Sequence, residues 1–179
     1  SYPAKLIAEL HEGGPSSTPT IDDGRVYAVS KDGRFLCLDA EDGDLLWSRE
    51  LTQELGVKVP LWGFSGSALI LDDRVIYEAG KTIALNRVTG DLIWETEEFR
   101  GAYSSPVPFP DPRTGETLVA VVNTDVLLAL RASDGSEVAR QPFTTSHPTN
   151  SCTPIVRGNQ IFLSSGYNRG CTLLTLNGG

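Results

Sequence analysis

Methionine is missing from all 179 positions, the first included, as expected of a processed or excised product. Only three cysteines occur, Cys37, Cys152 and Cys171, and no two are adjacent. Cys37 falls in an apolar run, as a buried free thiol does. Cys152 and Cys171 lie on strands two spacings apart, roughly 9–10 Å. A disulfide reaches only about 7 Å between Cα atoms, so three free thiols are expected. The two histidines, His11 and His147, are far apart and lack Cys or acidic neighbours at ligand spacing, which argues against a zinc centre. Cations are the minority, 15 Lys and Arg against 23 Asp and Glu, a formal charge of −8. Neither nucleic acid nor an anionic membrane is attracted to such a surface. No apolar run approaches the roughly 20 residues of a membrane-spanning helix. G-x-S-x-G, P-loop and G-x-G-x-x-G motifs are absent. Ser104-Ser105 and Ser164-Ser165 recur at strand ends without a partnered histidine, so no nucleophilic triad is read. Asp39–Asp44 has the look of a calcium loop, but Leu45-Leu46-Trp47 continues as strand, and a hairpin turn is the simpler reading.

What is abundant is a repeated unit. Ser17–Leu51 parses into four strands, Thr18–Ile21, Arg25–Ser30, Phe35–Asp39 and Leu45–Leu51, separated by Asp-Gly turns. Glycine reaches the positive φ of a tight hairpin without a Cβ clash. Val, Leu, Phe, Tyr and Thr suit a pleated, half-buried surface. Related units follow over Gly66–Phe99, Ser104–Phe143 and Cys152–Gly179. The glycine of the last turn recurs as Gly43, Gly90, Gly135 and Gly178, a period of about 45 residues. Four strands per repeat at that period predict an all-β fold, a β-propeller of four-stranded antiparallel blades, about four of them present. Trp47 and Trp94 share one phase of the fourth strand, where Ala139 stands in the third unit. An indole there would plug the gap between blades, worth at most about 4–6 kcal/mol.

The expected division of this one domain is a stray fourth strand in 1–14, blades at 15–51, 52–99 and 100–143, and a blade lacking its fourth strand at 144–179. Ala4–Leu10 resembles DLLWSREL and DLIWETEEF. Either it closes the last blade as a clasp, or the chain is cut from a larger ring. In the second case open blade edges are free to self-pair. Links between blades and turns between second and third strands open on one face of a propeller. That face carries Lys31, Trp62, Tyr103, Asn123, Asn150, Tyr167, Asn168 and Arg169. Trp62, Tyr103, Asn150, Tyr167, Asn168 and Arg169 are the candidate ligand-binding residues, as convergent aromatic and polar groups. In the turn Ser165–Gly170, Arg169 is placed to clamp an anion and Tyr167 to stack on a ring.

STPTIDDGRVYAV, GRFLCLDAEDGDLLW, KVPLWGFSGSALILDDRVIY, ALNRVTGDLIWE, AYSSPV and IFLSSGYNRGCTLLTL resemble pyrroloquinoline-quinone (PQQ)-type propeller repeats over nearly the whole chain. The bacterial PQQ-binding-like repeat proteins are the nearest in style, and the outer-membrane assembly lipoprotein shares it. The resemblance implies a ring of seven or eight blades and a periplasmic or extracytoplasmic location. It does not carry over the quinoprotein active site. No vicinal Cys-Cys pair and no Glu, Asn and Asp set for Ca²⁺ matches residue by residue. The expected function is a non-catalytic binding or scaffold module facing a protein or polysaccharide partner, without cofactor. The alternative is a PQQ- and Ca²⁺-dependent alcohol or sugar dehydrogenase.

Overall fold

A computed structural model describes residues 16–101, 103–147 and 149–177. The proposed clasp at Ala4–Leu10 and the turn at Gly178 lie outside them. The chain forms four antiparallel sheets in sequence order. The first holds β1 (Thr20–Asp22), β2 (Arg25–Val29), β3 (Arg34–Asp39) and β4 (Leu45–Glu50). A helical turn, α1 (Leu51–Glu54), follows it. The second holds β5 (Leu69–Leu71), β6 (Arg74–Glu78), β7 (Thr82–Asn86) and β8 (Leu92–Glu95). The third holds β9 (Val107–Pro110), β10 (Thr117–Val122), β11 (Val126–Arg131) and β12 (Glu137–Pro142). The last sheet comprises β13 (Ile155–Arg157), β14 (Gln160–Ser165) and β15 (Gly170–Thr175). Each is a meander whose neighbours are consecutive strands. Leu51 does not extend β4, as the sequence pattern had it. Its N–H donates to Gly33 O at 2.9 Å, and its buried side chain turns the chain into α1.

The core lies between the sheets, in three clusters. One joins Tyr27, Phe35 and Trp47 to Val75, Tyr77 and Ile83. The next joins Ile76, Ala84 and Trp94 to Val119, Val121 and Leu128. The third joins Leu118, Ala120 and Leu127 to Ile161 and Leu163. Successive side chains on a strand point to opposite faces. The inner strands of a blade between two neighbours are therefore apolar on both faces. Leu118–Val122 of β10 and Val126–Leu130 of β11 are so, and alternate residues go to different clusters. The architecture is that of a partial β-propeller.

Each seam repeats one joint. Trp47 and Trp94 are each 8% exposed, and each lies on the last turn of the next blade. Trp47 Nε1–H donates to Arg87 O and Trp94 Nε1–H to Ala132 O, both at 3.1 Å. A Cβ on Gly90 would fall 2.7 Å from the Trp47 ring, and one on Gly135 would fall 2.5 Å from the Trp94 ring. Glycine leaves room for the indole as well as supplying the turn. A register shift follows each joint, after Cys37, Ala84 and Ala129, the residues opposite Trp47, Trp94 and Ala139. A bulge adds one residue and re-aims its neighbours. Here it turns Leu46 and Ile93 outward, 43% and 39% exposed. By the same register, Leu176 aligns with Ala132 and Arg87.

Hydroxyls tie the inner strands. Thr20 Oγ1–H donates to Ala68 O at 2.7 Å, and Ser67 N–H donates to Ser105 Oγ at 2.9 Å. Ser104 Oγ–H donates to Val122 O at 2.6 Å. The Ser104-Ser105 pair is thereby engaged in the blade start.

The β9–β10 turn is pinned by a buried carboxylate. Asp111 is 1% exposed and accepts from Arg113 N–H, Nε and Nη2 at 2.9, 3.0 and 2.9 Å. The Arg113 guanidinium, then its backbone N–H, hold this carboxyl down at about 2. A depressed folded-state pKa stabilises the fold above the ordinary carboxylate value and loses that support as pH falls through the folded value. Stability is thus expected to drop between about pH 4 and pH 2 through this group. Denaturant titrations at stepped pH should show that slope flattened in D111N; an unchanged acid limb would assign it elsewhere.

Candidate functional site

Links between blades and the turns joining second to third strands gather on one face. They enclose a groove of about 840 Å³. The link before β5 supplies Lys58–Trp62, and the link before β9 supplies Glu98–Gly101 and Tyr103. The β6–β7 and β10–β11 turns add Ala79-Gly80 and Thr124-Asp125. His147, Thr149 and Tyr167 close the far end.

The walls are held by backbone. Gly63 N–H donates to Pro60 O at 2.8 Å, and Phe64 N–H donates to Lys31 O at 3.0 Å. This folds residues 58–62 back over the second blade and anchors them through the buried Phe64 ring. Trp62 is left 48% exposed, beside Leu61 and Val59 at 72% and 46%. Trp62 N–H donates to Tyr103 Oη at 3.4 Å, and Tyr103 N–H donates to Asn150 O at 2.9 Å. Burial pushes the Tyr103 phenol up, and the Trp62 N–H partly offsets this. Tyr103 therefore stays a neutral hydroxyl at physiological pH.

Tyr167 stacks on His147, with centroids 4.3 Å apart and planes 29° from parallel. Tyr167 and Asn168 have φ of 56° and 60°, and Arg169 N–H donates to Gly166 O at 3.1 Å. Two consecutive left-handed residues form a tight primed hairpin turn. Holding tyrosine there costs of order 1–3 kcal/mol, and the turn presents its ring to the groove at 56% exposure.

Of the six residues read from the sequence, the groove brings together Trp62, Tyr103 and Tyr167. Asn150 is not a ligand-facing group. It is 1% exposed, and its Nδ2 donates at 3.0 Å to Asn123 O, Thr124 O and Phe143 O. Its Oδ1 accepts from Ser165 Oγ at 3.1 Å. Arg169 lies outside the groove lining and lays its guanidinium over the Phe143 ring, 4.5 Å from the centroid. Asn168 is outside the lining, since its place in the turn is conformational. Asn123 Oδ1 caps its own turn, accepting from Asp125 and Val126 N–H at 3.2 and 3.1 Å.

Sequence reasoning missed Lys58, Glu98, Arg100, Asp125 and the floor at Gly80 and Gly101. Arg100 and Asp125 form a bidentate pair at 2.6 and 3.1 Å. Nothing local in the sequence pairs residues 25 apart, though their flanking of irregular links was a usable signal. Charge in the groove is balanced: Lys58 and Arg100 against Glu98 and Asp125. Its aromatic rings, not a net field, are its distinguishing chemistry.

Fold and groove together define a PQQ-like β-propeller repeat protein. The chain belongs to the family described as outer membrane protein assembly factor BamB, whose model matches residues 7–178. No curated protein sequence is significantly similar to it. Among solved structures it is similar to BamB from Moraxella catarrhalis, 23% identical with a TM-score of 0.59, covering 88% of this chain and 41% of that one. It is also similar to the quinohemoprotein alcohol dehydrogenase of Comamonas testosteroni, 20% identical with a TM-score of 0.55, covering 75% and 22%. The computationally designed Ika4 protein matches at 13% identity and a TM-score of 0.60, covering 92% and 94%. The chain thus spans less than half of the BamB structure it matches. These likenesses show the fold. No helix among the described residues is long and apolar enough to cross a membrane.

Among the described residues no three His, Cys, Asp or Glu side chains converge as metal ligands. Asp125 is already committed to Arg100, and the three cysteines are free and separate.

Proposed function

We propose that the chain is a non-catalytic propeller module that holds a protein partner in the Trp62–Tyr103–Tyr167 groove. The observation that carries this is three aromatic rings, two from links between blades and one from the β14–β15 turn, converging on one charge-balanced groove. Tyr and Trp are enriched at protein interfaces, and a few buried anchors carry most of the binding energy. Exposed Leu61 and Val59 enlarge the apolar rim. Membership of the BamB family supports a protein partner, rather than a polysaccharide, and an extracytoplasmic setting.

A photo-crosslinking residue at Lys58 or Glu98 should trap the partner in extracts of the native host. Against that partner, W62A is expected to weaken binding thirtyfold or more, the loss of about 2 kcal/mol typical of an anchor. Its Tm should move little, because the ring is half in water. Y103F, which removes only the hydroxyl to the Trp62 N–H, should weaken binding less. Unaltered affinity in W62A, or a Tm collapse in place of an affinity loss, would return Trp62 to a packing role.

A further inference from the structure

The seam between the third and fourth blades lacks the indole that fills the other two. Ala139 stands where Trp47 and Trp94 stand, opposite Ala129 and beside the same bulge. The space left is a slot of about 130 Å³. Its walls are Leu127, Ala129, Ala139, Ile161 and Leu174. The slot opens to solvent past Arg140, Gln141 and Thr175, and its volume is close to that of a cavity that takes up a benzene-sized molecule, about 150 Å³. Arg140, at the mouth, is drawn away by Glu137 and by Glu97 of the second blade, the latter at 2.9 Å.

The slot also has the acceptor an indole uses. At the filled seams the ring N–H donates to the first carbonyl beyond the third strand, Arg87 or Ala132. The equivalent carbonyl is that of Leu176, which lines the slot. It accepts Asn159 Nδ2–H at 3.1 Å. A carbonyl oxygen has two lone pairs, so a second donor can be taken.

We propose that this slot is a binding site for a flat aromatic ligand carrying one ring N–H, of the indole class. It lies against the outer strands, toward the face opposite the Trp62–Tyr103 groove. The ligand enters as the missing wedge: ring between the blades, N–H on Leu176 O. The filled seams of the same chain are the template for its pose.

The test uses 5-fluoroindole as probe, followed by ¹⁹F NMR against the whole chain. A saturable shift is expected in the wild type. It should be abolished in A139W, which supplies its own ring, and that variant should melt at a higher temperature. N-methylated 5-fluoroindole, which cannot donate, should bind several-fold more weakly. Absence of saturable binding to the wild type overturns the proposal. So does a probe shift that persists in folded A139W. If A139W does not fold, A139L, which partly fills the slot, replaces it: a weakened signal supports the site and an unchanged one rejects it.

Discussion

N150D should be among the most damaging single substitutions in the chain at neutral pH. Asn150 offers two N–H hydrogens to three backbone carbonyls, one from Phe143 and two from the β10–β11 turn. Aspartate of the same shape turns an acceptor toward all three. A buried group left without its partner costs about 1–3 kcal/mol, more when charge is involved. Three such carbonyls beside a buried carboxylate put the loss at roughly 4 kcal/mol or above. A domain is typically stable by only about 5–15 kcal/mol. N150A should lose less, since it removes the donors without adding a charge. The ordering of N150D below N150A is the diagnostic, and urea titration at pH 7 reads it. Equal losses, or losses under about 1 kcal/mol, would mean the three carbonyls find water. The groove should suffer too, because the Asn150 carbonyl receives the Tyr103 N–H.

G135A should cost far more than G43A, although the two glycines share a conformation. Their φ values are 73° and 79°, and both N–H groups close the same turn, onto Arg131 O and Asp39 O. Left-handed φ costs an L-residue about 1–2 kcal/mol. Gly43 has open space around its missing Cβ, so G43A should show that cost alone. At Gly135 the new methyl would sit 2.5 Å from Trp94 Cε3, and the ring cannot retreat from between two blades. A further loss of about 1–3 kcal/mol is expected from overpacking. W94A by itself should cost about 3–5 kcal/mol. In the double variant G135A/W94A the clash disappears, so its loss should fall short of the sum by more than about 1 kcal/mol. Additive losses would show that glycine is there for the turn only.

Much of this was legible in the residues, for stated reasons. Turn chemistry at a fixed period is local, so the blades at 20–50, 69–95 and 107–142 could be read directly. The Trp47–Trp94–Ala139 phase identified the seam residues because the fourth strand keeps its register. What escaped was decided between links rather than within them. In TTSHPTNS at 144–151 nothing in the sequence says which of His147 and Asn150 faces outward. The fold sends His147 to the groove and Asn150 to the interior, because three carbonyls from neighbouring segments need a donor there. Two of the three carbonyls are 26 and 27 residues from Asn150, a separation no periodicity reveals. Nor does the sequence show that the Arg169 guanidinium covers the Phe143 ring.

The joint between blades is directional: one sheet gives the indole, the next gives the glycine that receives it. A contact of this head-to-tail kind adds units in one direction until the rotation closes a ring. Any tandem copy of the second blade arises with a receptor, Gly90, and a donor, Trp94. Gene duplication could therefore lengthen such a protein blade by blade with no compensating mutation, and Ala139 marks a place where that inheritance has since been lost or never acquired.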